Sequence, residues 1–182
     1  PGAGAVVGRG VNHSDILPLV EFSREHGFGM RFIEYMDVGN ANNWTSEKLV
    51  SKKEIIAKIH SRYALKEIGR AQGSAPSVDY EFVDGRGDIG VIASVTEPFC
   101  SSCTRARITA DGKVVTCLFS EVGHDVKAML RNGASDDEIL KLLSSIWIKR
   151  ADRYSQERLE ALRDASYDPK SHKKIEMISL GG

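Results

Sequence analysis

A single β-α-β unit in the first 36 residues restricts the fold of this chain more than any other feature. Ala5-Val6-Val7 is a short, apolar, β-prone run. Asn12 to Ser14 then offer N-cap chemistry to an amphipathic helix carrying Ile16, Leu17, Leu19, Val20 and Phe22. Pro18 falls near the first turn, where a missing N–H costs least, and Gly27 suits the left-handed residue beyond a helix. Met30 to Met36 reads as a second strand from its aromatic and branched residues. Two strands joined through a helix run parallel with a right-handed crossover. Ligands in such folds bind beyond the carboxyl ends of the strands, which directs attention to the polar loop Gly39 to Trp44.

The pattern then changes. Ser51-Lys52-Lys53-Glu54 is a capping box, with Ile55, Ile56 and Ile59 behind it at helical spacing. Gly69 to Ser77 reads as a loop. Val78–Val83 and Ile89–Val95 flank Asp84-Gly85-Arg86-Gly87-Asp88, a hairpin signature, and Arg107–Thr109 with Lys113–Phe119 form a second hairpin around Ala110-Asp111-Gly112. Ser135 to Glu138 is another capping box, opening a helix with Ile139, Leu142, Leu143 and Ile146. The stretch after Ala151 is polar and partly helical, and Ile175 to Leu180 is expected to run extended. The residues therefore divide into 1–68, the end of a parallel α/β layer, and 69–182, a hairpin-rich α+β extension with C-terminal helices. The first part supplies too few strands for an independent parallel sheet, so more α/β structure is expected ahead of it. The chain opens without a Met and without the charged and apolar regions of a signal peptide, as expected for a piece of a longer protein.

Chemistry is concentrated in three cysteines at 100, 103 and 117. An odd, clustered set is not a secreted disulfide framework and favours a metal or redox site. Cys100 and Cys103 can reach one metal from a tight turn, while Cys117 lies on the second hairpin. Three thiolates leave one position open on a tetrahedral metal, or one unique iron on a [4Fe–4S] cluster. Three other uses stay open: a structural zinc completed by His124, a CxxC redox pair, and buried inert thiols. Arg105 and Arg107 follow at strand spacing, which places both on one face as a clamp for a polyanion or as ordinary surface cations. The charges balance, 25 Lys plus Arg against 25 Asp plus Glu, so nothing in bulk favours nucleic acid or a membrane. No apolar run is long enough to span a bilayer.

Taken together, Arg31-Phe-Ile-Glu-Tyr-Met-Asp-Val-Gly39, Cys-x2-Cys-x13-Cys at 100, 103 and 117, Thr104-Arg105-Ala106-Arg107 and the terminal Gly-Gly resemble the molybdenum cofactor biosynthesis protein A family. Its members are radical S-adenosylmethionine enzymes with GTP 3′,8-cyclase activity. The resemblance covers nearly the whole chain from Ala5 onward and rests on a combination of motifs far more specific than CxxC alone. It implies the C-terminal portion of an incomplete (α/β)6 TIM-like barrel, followed by the extension that closes its open side. It implies a [4Fe–4S] cluster on Cys100, Cys103 and Cys117, with the unique iron facing the guanine of GTP. Arg105, Ala106, Arg107 and Arg31 match GTP contacts, and Met36 matches a contact to S-adenosylmethionine. Gly181 and Gly182 match a catalytic tail that enters the active site. The family's second [4Fe–4S] cluster, which cleaves S-adenosylmethionine, needs a Cys-x3-Cys-x2-Cys motif that this sequence lacks, so the piece by itself is expected to be inactive. Expected partners are GTP, a cyclic pyranopterin synthase downstream and an electron donor for the clusters. A homodimer is compatible with the family, and a bacterial member would be cytoplasmic. One departure stands out: a lysine that contacts GTP in the family aligns near Gly2-Ala3-Gly4.

Overall fold

The computed structural model describes residues 2–180 as two compact units. The first comprises residues up to Met36, Trp44–Cys103 and Ser155–Tyr167; the second comprises Asp37–Asn43, Thr104–Tyr154 and the residues from Asp168 onward.

The first unit is built on a five-stranded mixed sheet of order β1-β2-β5-β4-β3. Strand β1 (Gly2–Val7) pairs in parallel with β2 (Gly29–Glu34), and β2 with β5 (Asp88–Ile92). Strands β4 (Val78–Phe82) and β3 (Leu65–Gly69) continue it antiparallel. The expected first hairpin is therefore present as β4–β5, and it joins the same sheet as the β-α-β unit. Strand β3 falls where the sequence suggests only the approach to a loop. Its side chains are mostly exposed, so no alternation marks it.

Helix α1 (Ile16–His26) connects β1 to β2, entered through a 3₁₀ turn at His13–Asp15. It ends on Gly27 at φ 69°, in the left-handed region, as the glycine suggested. The expected N-cap differs. Asn12 makes no capping bond; its amide bridges the β1 exit, accepting from Gly8 N–H at 2.9 Å and donating to Val6 O at 2.9 Å. Phe22 is also exposed, and Ser23 is buried in its place with its hydroxyl donated to Val20 O. Helix α2 (Lys52–His60) carries the anticipated capping box and buries Ile55 and Ile59 completely. One apolar cluster unites Val7, Ile16, Val20, Phe32, Ile55, Ile59, Phe82 and Val91, among others, from the helices α1 and α2 and all but one strand of the sheet.

The second unit contains a three-stranded sheet, β6 (Arg107–Ile108), β7 (Lys113–Val115) and β8 (His124–Asp125). The anticipated hairpin is β6–β7, turning through Gly112 at φ 82°. The hydroxyl of buried Thr109 donates to Asp111, and Lys113 pairs with the same residue at 2.9 Å. These two contacts, Thr109 foremost, hold the Asp111 carboxyl down at about 2. Strand β8 and helix α3 (Val126–Arg131) were not marked in the sequence by periodicity. Helix α4 (Asp136–Ile148) has its predicted capping box. The expected extended run to Leu180 is instead irregular, closing in a 3₁₀ turn at Met177–Leu180. Helix α5 (Tyr154–Arg163), which apart from Tyr154 belongs to the first unit, fulfils the expectation of partial helix after Ala151. Among the described residues no helix is long and apolar enough to cross a membrane.

Candidate functional site

Strand β2 carries an alternation in which Met30, Phe32 and Glu34 are buried and Arg31 and Ile33 are half-covered. Two of those residues are charged, and the structure uses both. Arg31 donates to Asp88 at 2.7 Å and lies 3.4 Å from Asp79, so its guanidinium is oriented by two carboxylates of neighbouring strands. Gly90 makes room for it: a Cβ there would fall 2.4 Å from Arg31 Cδ. Glu34 is fully buried at the carboxyl end of β2. Its Oε1 accepts from Lys52 N–H at 2.8 Å and from the Thr96 hydroxyl at 2.5 Å. Its Oε2 accepts from Val95 N–H and Thr96 N–H, each at 2.9 Å. Met36 follows two residues past the strand, half-covered, in the segment leading to the loop.

The chain leaves β5 through residues 93–99 and enters a single 3₁₀ turn, Cys100–Ser102. Cys103 N–H donates to Cys100 O at 3.2 Å, so the two thiols three residues apart share one turn, as their spacing suggested. In the second unit, Thr104, Ala106 and Ile108 are exposed, whereas Arg105 and Arg107 are partly covered and Thr109 is buried. This period of two is that of an extended chain. Only Arg107 lies within β6; Arg105 precedes it, which corrects the expectation that both sit on the strand. The ladder begins at Arg107↔Val115, so Arg105 and Cys117 each lie two residues beyond the last pair, at the open end of one hairpin. Cys117 Sγ accepts from Phe119 N–H at 3.5 Å. Ala106, on the opposite side from the arginines, borders an apolar recess with Val114, Leu143, Ile146 and Trp147.

All three cysteines are thiols rather than disulfides, and all are partly covered. By chemistry alone, three thiols are the soft donor set that iron–sulfur clusters use. Among the described residues no three His, Cys, Asp or Glu side chains are arranged to hold a metal ion. His124 is exposed on β8, paired across the ladder with Val114, and nothing supports it as the fourth ligand of a structural zinc. Gly181 and Gly182 lie outside the described residues.

Two polar clusters were not assigned a role from the sequence. Glu34 is one. The other is buried in the second unit, where Asp37 lies 3.4 Å from Lys174 Nζ, both side chains 1% exposed, and accepts the Tyr154 hydroxyl at 2.5 Å. The Asn40 side chain binds both Lys174 O and Glu176, tying loop 37–43 to the segment after 168. A charge at a core position of an apolar strand was the available signal for Glu34. Nothing local marks a pairing 137 residues long in sequence, from Asp37 to Lys174.

A mixed α/β unit that ends in a two-thiol turn is followed by a small hairpin unit bearing two arginines and a third thiol, the architecture of a thiol-bearing α/β protein. The family model for Molybdenum Cofactor Synthesis C matches residues 28–156, and the chain belongs to that family. Relatives named GTP 3′,8-cyclase include those of Parasynechococcus marenigrum, 42% identical over 98% of this chain and 48% of its own length, and of Acidothermus cellulolyticus, 40% identical over 98% and 54%. That of Staphylococcus saprophyticus is 40% identical over 97% of this chain and 51% of its own length. The chain thus spans about half the length of the curated relatives it matches.

Proposed function

We propose that this chain is the substrate-cluster portion of a GTP 3′,8-cyclase, which joins the ribose C3′ of GTP to C8 of its guanine in molybdenum cofactor biosynthesis. The single observation that carries the reading is the identity of 40–42% along nearly the whole chain to relatives of that name, in a sequence that keeps three thiols and two arginines in the expected order. In this reading β1, β2 and β5 are the parallel end of a longer barrel, with β1 at the sheet edge. Cys100, Cys103 and Cys117 would hold a [4Fe–4S] cluster, which, with three protein thiolates, would supply a Lewis-acidic iron to the guanine of GTP.

The other roles belong to this chain's side chains. Arg105 and Arg107 bind the triphosphate, for which charge-assisted forks are well suited. Arg31 joins them, aimed by Asp79 and Asp88. Gly2 offers no cation, so these three arginines carry that task here. Ala106, whose side chain faces away from the arginines, contributes to the nucleotide site through its backbone, and Met36, past the end of β2, contacts S-adenosylmethionine. Gly181 and Gly182 complete the site as a tail without Cβ atoms to collide with it. S-adenosylmethionine cleavage belongs to a second cluster on residues outside this sequence, with GTP as substrate and an external electron donor.

The test is metal content. After anaerobic reconstitution the chain should carry about four irons and a broad absorbance near ~400 nm. Replacing Cys100, Cys103 or Cys117 by Ser should remove both, since serine is a poor ligand for iron in such sites. His124→Ala should leave iron unchanged. Full iron in Cys117→Ser would overturn the assignment.

A further inference from the structure

Carboxylates are almost never fully buried without partners, and Glu34 is both buried and surrounded by donors. Ionised, it can accept about four hydrogen bonds, and it receives four: Lys52 N–H, Val95 N–H, Thr96 N–H and the Thr96 hydroxyl. Three of the four come from one dipeptide, Val95-Thr96. That dipeptide lies just past the carboxyl end of β5 and only four residues before Cys100. The rest of the path is held as well. Arg158, 2% exposed, donates Nη2 to Ser94 O at 2.5 Å. Lys52 pairs with Glu97 at 2.7 Å, and Glu97 N–H returns to Ala93 O at 3.1 Å. Arg70 places its guanidinium 5.0 Å from the Phe99 ring centroid and is itself fixed by bonds to Ala75 O and Pro76 O. The 3₁₀ turn then starts with Ser102 N–H on Phe99 O.

A strand that merely ended here would need none of this. Lys52 N–H is one of the unsatisfied donors at the start of α2, and the Ser51 side chain already caps that helix through Glu54 N–H. Glu34 therefore ties the end of β2, the first turn of α2 and the exit of β5 to one point. We propose that Glu34 is a positioning residue for the Cys100–Cys103 turn. Its carboxylate fixes the direction in which the chain leaves β5, and so presents both thiols in the arrangement a cluster requires. This inference rests on the cluster reading above, but its central measurement needs no metal.

The experiment compares wild type, Glu34→Gln and Thr96→Val in the full-length protein. Glutamine keeps the shape and one oxygen but puts an amide NH2 against N–H donors. Thr96→Val removes one bond while preserving volume, and serves if Glu34→Gln fails to fold. Alkylation by iodoacetamide in the metal-free protein is followed at each cysteine by mass spectrometry, and iron content and absorbance are read after reconstitution. Loss of a hydrogen bond to a buried charge should raise the alkylation rates of Cys100 and Cys103 about tenfold through local opening. Cys117 is the internal control and should keep its wild-type rate. Iron content should fall together with the ~400 nm band. Unchanged rates at Cys100 and Cys103 in a folded variant, or an equal rise at all three cysteines, would overturn the positioning role. Wild type without iron would instead overturn the cluster reading, while the thiol rates would still decide the role of Glu34.

Discussion

The two units of this chain are stabilised in different ways. In the first, Val7, Phe32, Ile55, Ile59, Ile89 and Val91 are essentially inaccessible, and stability comes from apolar area at about 25 cal/mol per Å². In the second, α3 and α4 bury no residue, and among the described residues the buried apolar side chains are Val114, Val115, Phe119 and Leu180. Directional contacts stand in their place: Asp37 with Lys174 and Tyr154, Thr116 with Asp152 at 2.6 Å, and the Phe119 and Tyr154 rings stacked with centroids 4.5 Å apart. An apolar core distributes its stability over many contacts. A polar clasp concentrates it in few, so one substitution can release a whole segment.

The largest expected effect tests the first half of that contrast. Phe32→Ala empties the middle of β2 and should cost about 3–5 kcal/mol, measured by urea unfolding followed at the sheet. Lys174→Ala comes next. It removes a cation 3.4 Å from the buried Asp37 carboxylate, at a cost of about 3 kcal/mol. The loss should be local, read as faster amide exchange over 168–180 with little change at Phe32. Asp37→Asn combined with Lys174→Met should recover much of it, because replacing both buried charges also removes the cost of desolvating them. Equal exchange across both units in Lys174→Ala would show that the clasp is not local.

The same contrast decides what could be read from the sequence. The β-α-β unit, both capping boxes, the β4–β5 and β6–β7 hairpins and α5 were legible because period, caps and glycines are local signals. Strand β3 was not, because its exposed Lys66, Glu67 and Ile68 give no alternation. The last residues misled for the opposite reason: Ile175, Met177, Ile178 and Leu180 suggest a strand, but tertiary bonds such as Ile175 N–H to Ser120 O shape them instead. In the candidate site, the cysteine and arginine pattern was visible from spacing. Glu34 and the Asp37–Lys174 pair depend on which backbone groups the fold brings close, and that is not written in neighbouring residues.

The arginines sharpen the comparison further. Arg31 in the first unit is paired with Asp79 and Asp88, and Arg107 in the second opens strand β6, opposite Val115. Charge-assisted contacts of roughly 1.5–3 kcal/mol predict that Arg105→Ala and Arg107→Ala each weaken GTP binding about 10- to 150-fold, with the melting temperature nearly unchanged in Arg107→Ala. Arg31→Ala should lower both affinity and melting temperature, since it also leaves two carboxylates facing each other without a cation. Calorimetric titration beside a thermal scan separates the two patterns. A melting loss for Arg107→Ala as large as that for Arg31→Ala would place it among the structural ion pairs.

The smallest effect concerns two caps of the same chemistry in the two units. Ser51 caps α2 and Ser135 caps α4, each with a reciprocal glutamate, Glu54 or Glu138. Serine-to-alanine at an N-cap costs about 1 kcal/mol. Helix α2 buries Ile55 and Ile59 in the apolar core, so Ser51→Ala should lower the global urea midpoint. Helix α4 buries nothing, so Ser135→Ala should mainly speed amide exchange in its own first turn. Acid gives a second reading of the same difference. Glu54 is held at about 2, first by its hydrogen bond from Arg9 and then by the Ser51 backbone, and Glu138 is lowered by its bond from the Ser135 backbone. A carboxyl lowered in the folded state stabilises fully above its unfolded value of about 4.3 and loses that contribution as pH falls. The penalty of Glu54→Gln should therefore be complete at pH 7, shrink below about 4.3 and vanish near 2. It should appear in the global midpoint, whereas Glu138→Gln should appear only in α4. If Ser135→Ala or Glu138→Gln shifts the urea midpoint as far as its counterpart in α2, then α4 unfolds together with the apolar core, and the proposed division between a cooperative first unit and a locally held second one fails.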